Sequence, residues 1–225
     1  FLNSSYLNMQ LKEKQYEKEN AELKALQLQI NPHFLFNTLQ TLDLEVGKEG
    51  KPEDIRYIIR CLSDILKYAL EDVNKLVTLK EELSYLKKYM TVQQYRFGTR
   101  FIIYYDIEEE LENAMVFRMM LQPVLENCLL HGIRQQTEER EYIMVEANMK
   151  QDKMEIIVSD TGKGMDEEQL RKLREQVAGS QSKSIGLANL NRRLLLYYGE
   201  ESQLKIQSAV GEGTVISFSI PNVPL

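Results

Sequence analysis

Apolar residues recur every seven positions at the start of the chain, at Leu2, Met9, Tyr16, Leu23 and Ile30, and a second series, Leu28, Leu35 and Leu42, begins as the first ends. Lys, Glu, Gln and Asn fill the intervals, a pattern that predicts a long amphipathic helix able to pair with another copy of itself. The seam widens after Ala25, where Leu26, Leu28, Ile30, Phe34, Leu35 and Phe36 crowd together, as a coiled coil feeding into a thicker bundle requires. Residues 47–52 (GKEGKP) break that helix, and Pro52 suits the first position of the next. Ile55, Ile59, Leu62, Leu66 and Ala69 then repeat at helical spacing, with Ile58 and Ile65 broadening the face. The short connection predicts an antiparallel pair. Because neither helix can bury its stripe alone, the expected solution is a dimer with two helices from each copy. A break is expected at Asn74 to Leu76, after which Thr78 and Glu81 form a capping box opening a helix through about Arg96.

Beyond Gly98 the pattern changes period. Residues 100–107, 142–149, 153–159, 203–209 and 214–220 are rich in β-branched and aromatic residues at strand length. Helical runs lie between them at 117–132, 166–177 and 185–198. The reading is α+β: a helical dimerisation unit over residues 1–75, then an α/β sandwich over 76–225, its helices on one face of a largely antiparallel sheet.

With 43% hydrophobic and 28% charged residues the chain is neither disordered nor fibrous. The net charge of −6, with basic residues interleaved among glutamates, leaves no patch for nucleic acid. No apolar stretch approaches the ~20 residues of a membrane-spanning helix, and no signal segment is visible. An opening residue of Phe1 is that expected of a piece of a longer or processed protein. Cys61 and Cys128 sit among apolar residues and read as reduced core thiols, and the cysteines and histidines lack the spacing of a zinc site.

Five windows could carry chemistry. His33 follows Pro32, and a proline inside a helical pattern kinks the chain, which favours an imidazole displaced outward and competent as a nucleophile near neutral pH. Glu126 and Asn127 are adjacent polar residues on an apolar helix. Each needs a partner if buried, and a magnesium ion shared with phosphates is one candidate. Asp160 ends a strand and is followed by Gly162 and Gly164, whose lack of side chains permits a sharp turn and close approach of a ligand to backbone. Residues 183–190 (KSIGLANL) run from a small-residue turn into a helix. Gly211, Gly213 and Thr214 lie between two strands. Read singly, each window also fits a plain structural role: a surface histidine, a hairpin glycine, a helix with its polar edge in water. Neither a Walker loop nor a dinucleotide fingerprint is present.

Taken in order, residues 32–37 (PHFLFN), Glu126-Asn127 with His131-Gly132, residues 160–164 (DTGKG), residues 186–189 (GLAN) and residues 211–214 (GEGT) resemble a sensor histidine kinase of the LytS/YesM-like class. Glu81-Glu82-Leu83 and Tyr95-Arg96-Phe97 belong to the same resemblance, which runs from about Gln27 to Pro221. It implies a four-helix dimerisation and phosphoacceptor bundle joined to a Bergerat-type ATP-binding sandwich. His33 is then the phosphorylated residue, with Asn127 on Mg²⁺ and Glu126 beside it as candidate general base. Asp160 binds the adenine amino group, and Gly162 and Gly164 let the backbone close round the base. Gly186 and Leu187 shape the phosphate side under a lid at residues 178–184, while Gly211, Gly213 and Thr214 close the adenine pocket. Asn37 occupies the position of a residue for dephosphorylating the partner. The implied cofactors are ATP and Mg²⁺, the partners a second copy and a response-regulator receiver domain. The location is the cytoplasmic part of a membrane sensor whose upstream segment is absent here.

The chain also departs from the class. Phe34 follows the histidine where the commonest histidine kinases carry an acid. Leu130 stands where a lysine is frequent, leaving Lys163 or Lys183 for that phosphate contact, and Thr161 replaces a frequent asparagine. His131 reads as structural or pocket-lining. The competing functions are a Bergerat ATPase or serine kinase, which has no need of the helical half, and a degenerate dimeric scaffold, against which Asn127, Asp160 and the paired glycines speak.

Overall fold

The computed structural model describes residues 32–46, 52–71, 75–134, 140–179 and 185–222. Helix α1 (Pro32–Val46) and helix α2 (Pro52–Leu70) form the hairpin. Their buried residues follow the helical period: Phe34, Thr38 and Leu42 on α1, and Ile58, Cys61, Leu62 and Ile65 on α2. The coiled-coil series before Pro32 and the break at 47–51 lie outside the described residues. Strand β1 (Leu76–Thr78) leads into helix α3 (Leu79–Phe97), and the capping box is formed as expected. Thr78 Oγ1 accepts from the Glu81 N–H, and the Glu81 carboxylate accepts from the Thr78 N–H at 2.9 Å.

Helix α3 buries more than one face because it lies between the hairpin and the sheet unit. Tyr68 of α2 stacks on Tyr85 of α3 at 4.4 Å between centroids, and Lys88 meets Asp64 at 2.6 Å. On its other side α3 touches the segment that follows strand β3 (Met115–Phe117), which pairs antiparallel with β1. These two short strands were not foreseen; each has three residues, too few to show a period.

The main sheet has the order β2-β4-β5-β7-β6, from β2 (Phe101–Ile107), β4 (Glu141–Lys150), β5 (Lys153–Asp160), β6 (Lys205–Ala209) and β7 (Gly213–Pro221). All pairs are antiparallel except β2 with β4. Helices α5 (Glu167–Ala178) and α6 (Ile185–Tyr198) belong to the covering layer. The expected helix at 117–132 is corrected. Phe117 completes β3, a turn follows in which Met119 has φ +57°, and helix α4 is only Gln122–Asn127, continued as a π turn over Cys128–Gly132. Pro123 sits in the first turn of α4, where its missing N–H costs nothing, which explains the late start. Among the described residues no helix is long and apolar enough to cross a membrane.

Candidate functional site

The period of β5 dictates the position of Asp160. Met154, Ile156 and Val158 point into the core, and a strand repeats every second residue, so Asp160 falls on the same apolar face, 4% exposed. Its Oδ1 accepts the Gly162 N–H at 2.9 Å. Oδ2 is buried without a hydrogen-bond partner of good geometry among the described residues, although the Cys128 thiol and the Thr214 N–H also act on the carboxylate. Burial pushes the carboxyl above the usual carboxylate range, opposed by the Gly162 N–H and the Cys128 thiol beside it. A buried acceptor with no donor costs about 1–3 kcal/mol, so the arrangement is one that a ligand N–H completes.

The loop after Asp160 is held close to backbone on two sides. The Gly132 carbonyl accepts the Lys163 N–H at 3.0 Å, and a Cβ on Gly162 would lie 2.2 Å from that same carbonyl oxygen. Gly213 has φ +89°, and a Cβ there would come within 1.8 Å of the Asp160 carbonyl oxygen. Only glycine fits either position. The Gly211 N–H donates to the Lys163 carbonyl at 2.8 Å, and Ser208 Oγ accepts the Met165 N–H while lying 3.0 Å from Thr214 Oγ1. Arg134 Nη2 adds a bond to the Gly162 carbonyl at 3.2 Å.

This frame borders a cavity of about 360 Å³ lined by Asn127, His131, Gly132, Lys163, Thr214 and one face of α5. Of the sequence-singled residues, Asn127, His131, Gly164 and Thr214 line this cavity, and Asp160, Gly162, Gly211 and Gly213 belong to the frame beside it. Gly186 and Leu187 are not among its lining residues. Gly186 packs near Pro123 of α4, and Leu187 is buried in the core. Residues 180–184, most of the expected lid, lie outside the described residues. Missed by sequence reasoning were Gln169, Leu173 and Gln176 on α5, whose spacing of four and three does place them on one helix face. Also missed was Cys128, whose thiol is pushed up by burial and the neighbouring Asp160.

Glu126 and Asn127, adjacent in sequence, look in opposite directions. Asn127 lines the large cavity. Glu126 borders a second, small space of about 40 Å³ shared with Phe34, Tyr89, Gln93, Arg96 and Leu130. Glu126 finds protein partners for its carboxylate: its Oε1 accepts from the Tyr89 hydroxyl at 2.9 Å and from Gln122 Nε2 at 2.8 Å. The chain of bonds continues outward. Gln93 Nε2 donates to the Tyr89 hydroxyl and Arg96 Nη1 to Gln93 Oε1, while the Tyr85 hydroxyl donates to Gln122 Oε1. Asn37 lies on α1, half-buried, and its carbonyl accepts from Thr41 Oγ1. His33 is the second residue of α1; its side chain lies outside the described set. Among the described residues no group of three or more His, Cys, Asp or Glu side chains could hold a metal ion.

The described residues thus give a helical hairpin followed by an α/β sandwich with a glycine-framed cavity at one strand end. Two family models match the chain: "Histidine kinase" over residues 21–101 and "Histidine kinase-, DNA gyrase B-, and HSP90-like ATPase" over residues 117–224. A sensor-like histidine kinase of Staphylococcus epidermidis is 31% identical over 225 residues, covering 99% of this chain and 43% of the relative. The sensor protein kinase HptS of Staphylococcus aureus is 31% identical over 202 residues, covering 89% and 38%. Among solved structures, the histidine kinase domain of an Erythrobacter litoralis blue-light activated kinase aligns with TM-score 0.48 at 14% identity, covering 92% of this chain and 96% of that one. The chain belongs to the sensor histidine kinases, and it spans about two fifths of the length of these curated relatives.

Proposed function

We propose that the chain is the kinase portion of a two-component sensor of the LytS/YesM-like class, autophosphorylating on His33 with ATP and passing the phosphoryl group to an aspartate of a response-regulator receiver domain. The observation that carries this reading is the buried Asp160 carboxylate, whose Oδ2 has no hydrogen-bond partner among the described residues, beside Gly132 and Thr214, which line the cavity together with Asn127. An adenine amino group supplies the missing donor there. Lys163 and His131 line the same cavity and face the phosphates, with Lys163 in place of the lysine absent at Leu130. Magnesium, held on the protein side by Asn127, supplies neutralisation of phosphate charge.

The chemistry asks mainly for position. An imidazole nitrogen of His33 forms a bond to the γ-phosphorus as the bridging P–O bond breaks and ADP departs with that electron pair; the ring proton then leaves. Glu126, held by Tyr89 and Gln122 on the wall nearest α1, is the candidate to take it. Asn37, one turn along α1, is the candidate for the reverse chemistry on the partner. Residues 76–225 form the nucleotide unit, and the hairpin within 1–75 forms the dimer, for which Phe36 and Leu39 of α1 and Tyr57 and Ile59 of α2 offer exposed apolar surface. The relatives' greater length and their description as sensors support placement on the cytoplasmic side of a membrane sensor.

Incubation with Mg·ATP is expected to leave an acid-labile, alkali-stable phosphoryl group. His33→Gln is expected to abolish it while nucleotide binding stays within about twofold. Label persisting in that variant contradicts the assignment.

A further inference from the structure

We propose that Phe34 is a positioning residue for phosphoryl transfer: its ring is the peg that seats the start of α1 on the wall of the nucleotide unit, next to Glu126. This rests on the reading of His33 as phosphoacceptor. Phe34 is 5% exposed although it lies in the first turn of its helix, whereas Phe36, two residues on, is 68% exposed. The difference comes from what Phe34 enters. Its ring lies 5.0 Å from that of Tyr89, tilted by 32°, with the Arg96 guanidinium 6.0 Å from its centroid. Phe97 and Leu129 complete the socket, and Glu126 is part of its lining.

Tyr89 therefore serves two neighbours at once. Its ring packs against Phe34, and its hydroxyl donates to Glu126. Arg96 likewise lies over Phe34 and holds Gln93, which donates to Tyr89. Seating the peg and aiming the carboxylate are thus one arrangement. Consecutive Cα atoms are about 3.8 Å apart, so fixing residue 34 fixes the backbone of residue 33 to a small region. The partition carrying Glu126 on one side carries Asn127 on the other, and Leu129 borders the socket where His131 and Gly132 border the nucleotide cavity. Glu126 and Asn127 part within α4, as neighbours on a helix do, and the π turn over Cys128–Gly132 rotates the side chains that follow relative to a continued α-helix. The partition is where a phosphoryl group must pass from one side to the other, and Phe34 registers the acceptor helix against it.

The test is the initial rate of autophosphorylation over a range of Mg·ATP concentrations in Phe34→Ala, Phe34→Tyr and Leu42→Ala, with His33→Gln alongside. Leu42 is buried in the same helix stripe but away from the socket, so it reports simple loosening of α1. Expected for Phe34→Ala is a fall in kcat of roughly tenfold or more with KM for ATP unchanged within about twofold, the signature of lost alignment rather than lost binding. Phe34→Tyr keeps the ring, and the residual 40 Å³ accommodates its hydroxyl, so kcat returns to within about threefold of wild type. Leu42→Ala stays within about threefold as well. Wild-type kcat in Phe34→Ala, or an equal loss in Leu42→Ala, overturns the proposal. Should Phe34→Ala not fold, Phe34→Leu replaces it; a fall of about threefold or more at constant KM supports the peg and a wild-type kcat overturns it. Label surviving in His33→Gln instead rejects the phosphoacceptor assignment, so the two failures are distinct.

Discussion

At Asp160 the cost of a buried carboxylate and the proposed adenine contact pull in opposite directions. Its folded carboxyl is held above the ordinary carboxylate range, chiefly by burial. A group raised in this sense contributes stability below its unfolded value and loses it as pH rises through the folded one, so at neutral pH the charged carboxylate is a net cost to the nucleotide-free fold. Asn at this position retains an oxygen for the Gly162 N–H and removes the charge. In Asp160→Asn the melting temperature of the nucleotide-free protein at neutral pH is therefore expected to rise. Affinity for adenine nucleotides falls by about 1–3 kcal/mol, roughly tenfold to a hundredfold, because the replacement presents a donor to a donor. Thermal melts with and without nucleotide read both effects, and an unchanged nucleotide-induced shift would move the base elsewhere. The place of Asp160 at a strand end before two glycines was legible. Its burial follows from the alternation Met154, Ile156, Val158, which the sequence also contains. The different surroundings of Glu126 and Asn127 were not legible, because neighbours on one short helix part only when tertiary packing decides what lies against each.

At the scale of elements, strong local signals survived folding and weak ones did not. Thr78 with Glu81 and Pro52 at a helix start act through backbone N–H groups within one turn, so nothing distant can override them. The five sheet strands were visible from β-branched runs that end within three residues of the observed bounds. The segment 117–132 failed because an apolar run fits a buried helix, a short strand and a turn equally well, and tertiary packing decided. The capping box of α3 offers a clean test, since it lies remote from the nucleotide cavity. Thr78→Ala is expected to cost about 1 kcal/mol, a fall of about 2–4 °C in Tm for a chain of this size, while the nucleotide-induced shift in Tm keeps its wild-type size. A loss of that shift would mean that the start of α3 is coupled to the cavity.

Across the whole molecule, the hairpin and the sandwich meet at one buried polar knot. Glu82 of α3 is fully buried and accepts from the Tyr68 hydroxyl of α2 at 2.6 Å and from the N–H groups of Met119 and Leu121, at 2.9 and 3.2 Å, in the turn that leads into α4. The Arg118 guanidinium lies 4.3 Å from the Tyr68 ring centroid, donates to the Tyr68 carbonyl and pairs with Glu71. Arg193 of α6 donates to the Arg118 carbonyl at 2.9 Å. The end of the hairpin and the turn that leads into α4 are thus held by one carboxylate that accepts from both. Burial raises the Glu82 carboxyl above its usual range, and the Tyr68 hydroxyl is the first of the groups that hold it down. Tyr68→Phe removes that donor and raises the carboxyl further. The stability lost is then largest where Glu82 is charged, about 1.5–3 kcal/mol for a hydrogen bond to a charged group, and smaller on the acid side, where a protonated carboxyl needs no such donor. Denaturant melts of wild type and Tyr68→Phe across the whole pH range over which both stay folded read the difference as a gap that widens as Glu82 loses its proton. A gap that stays constant over that whole range would count against Tyr68 acting through the charge of Glu82.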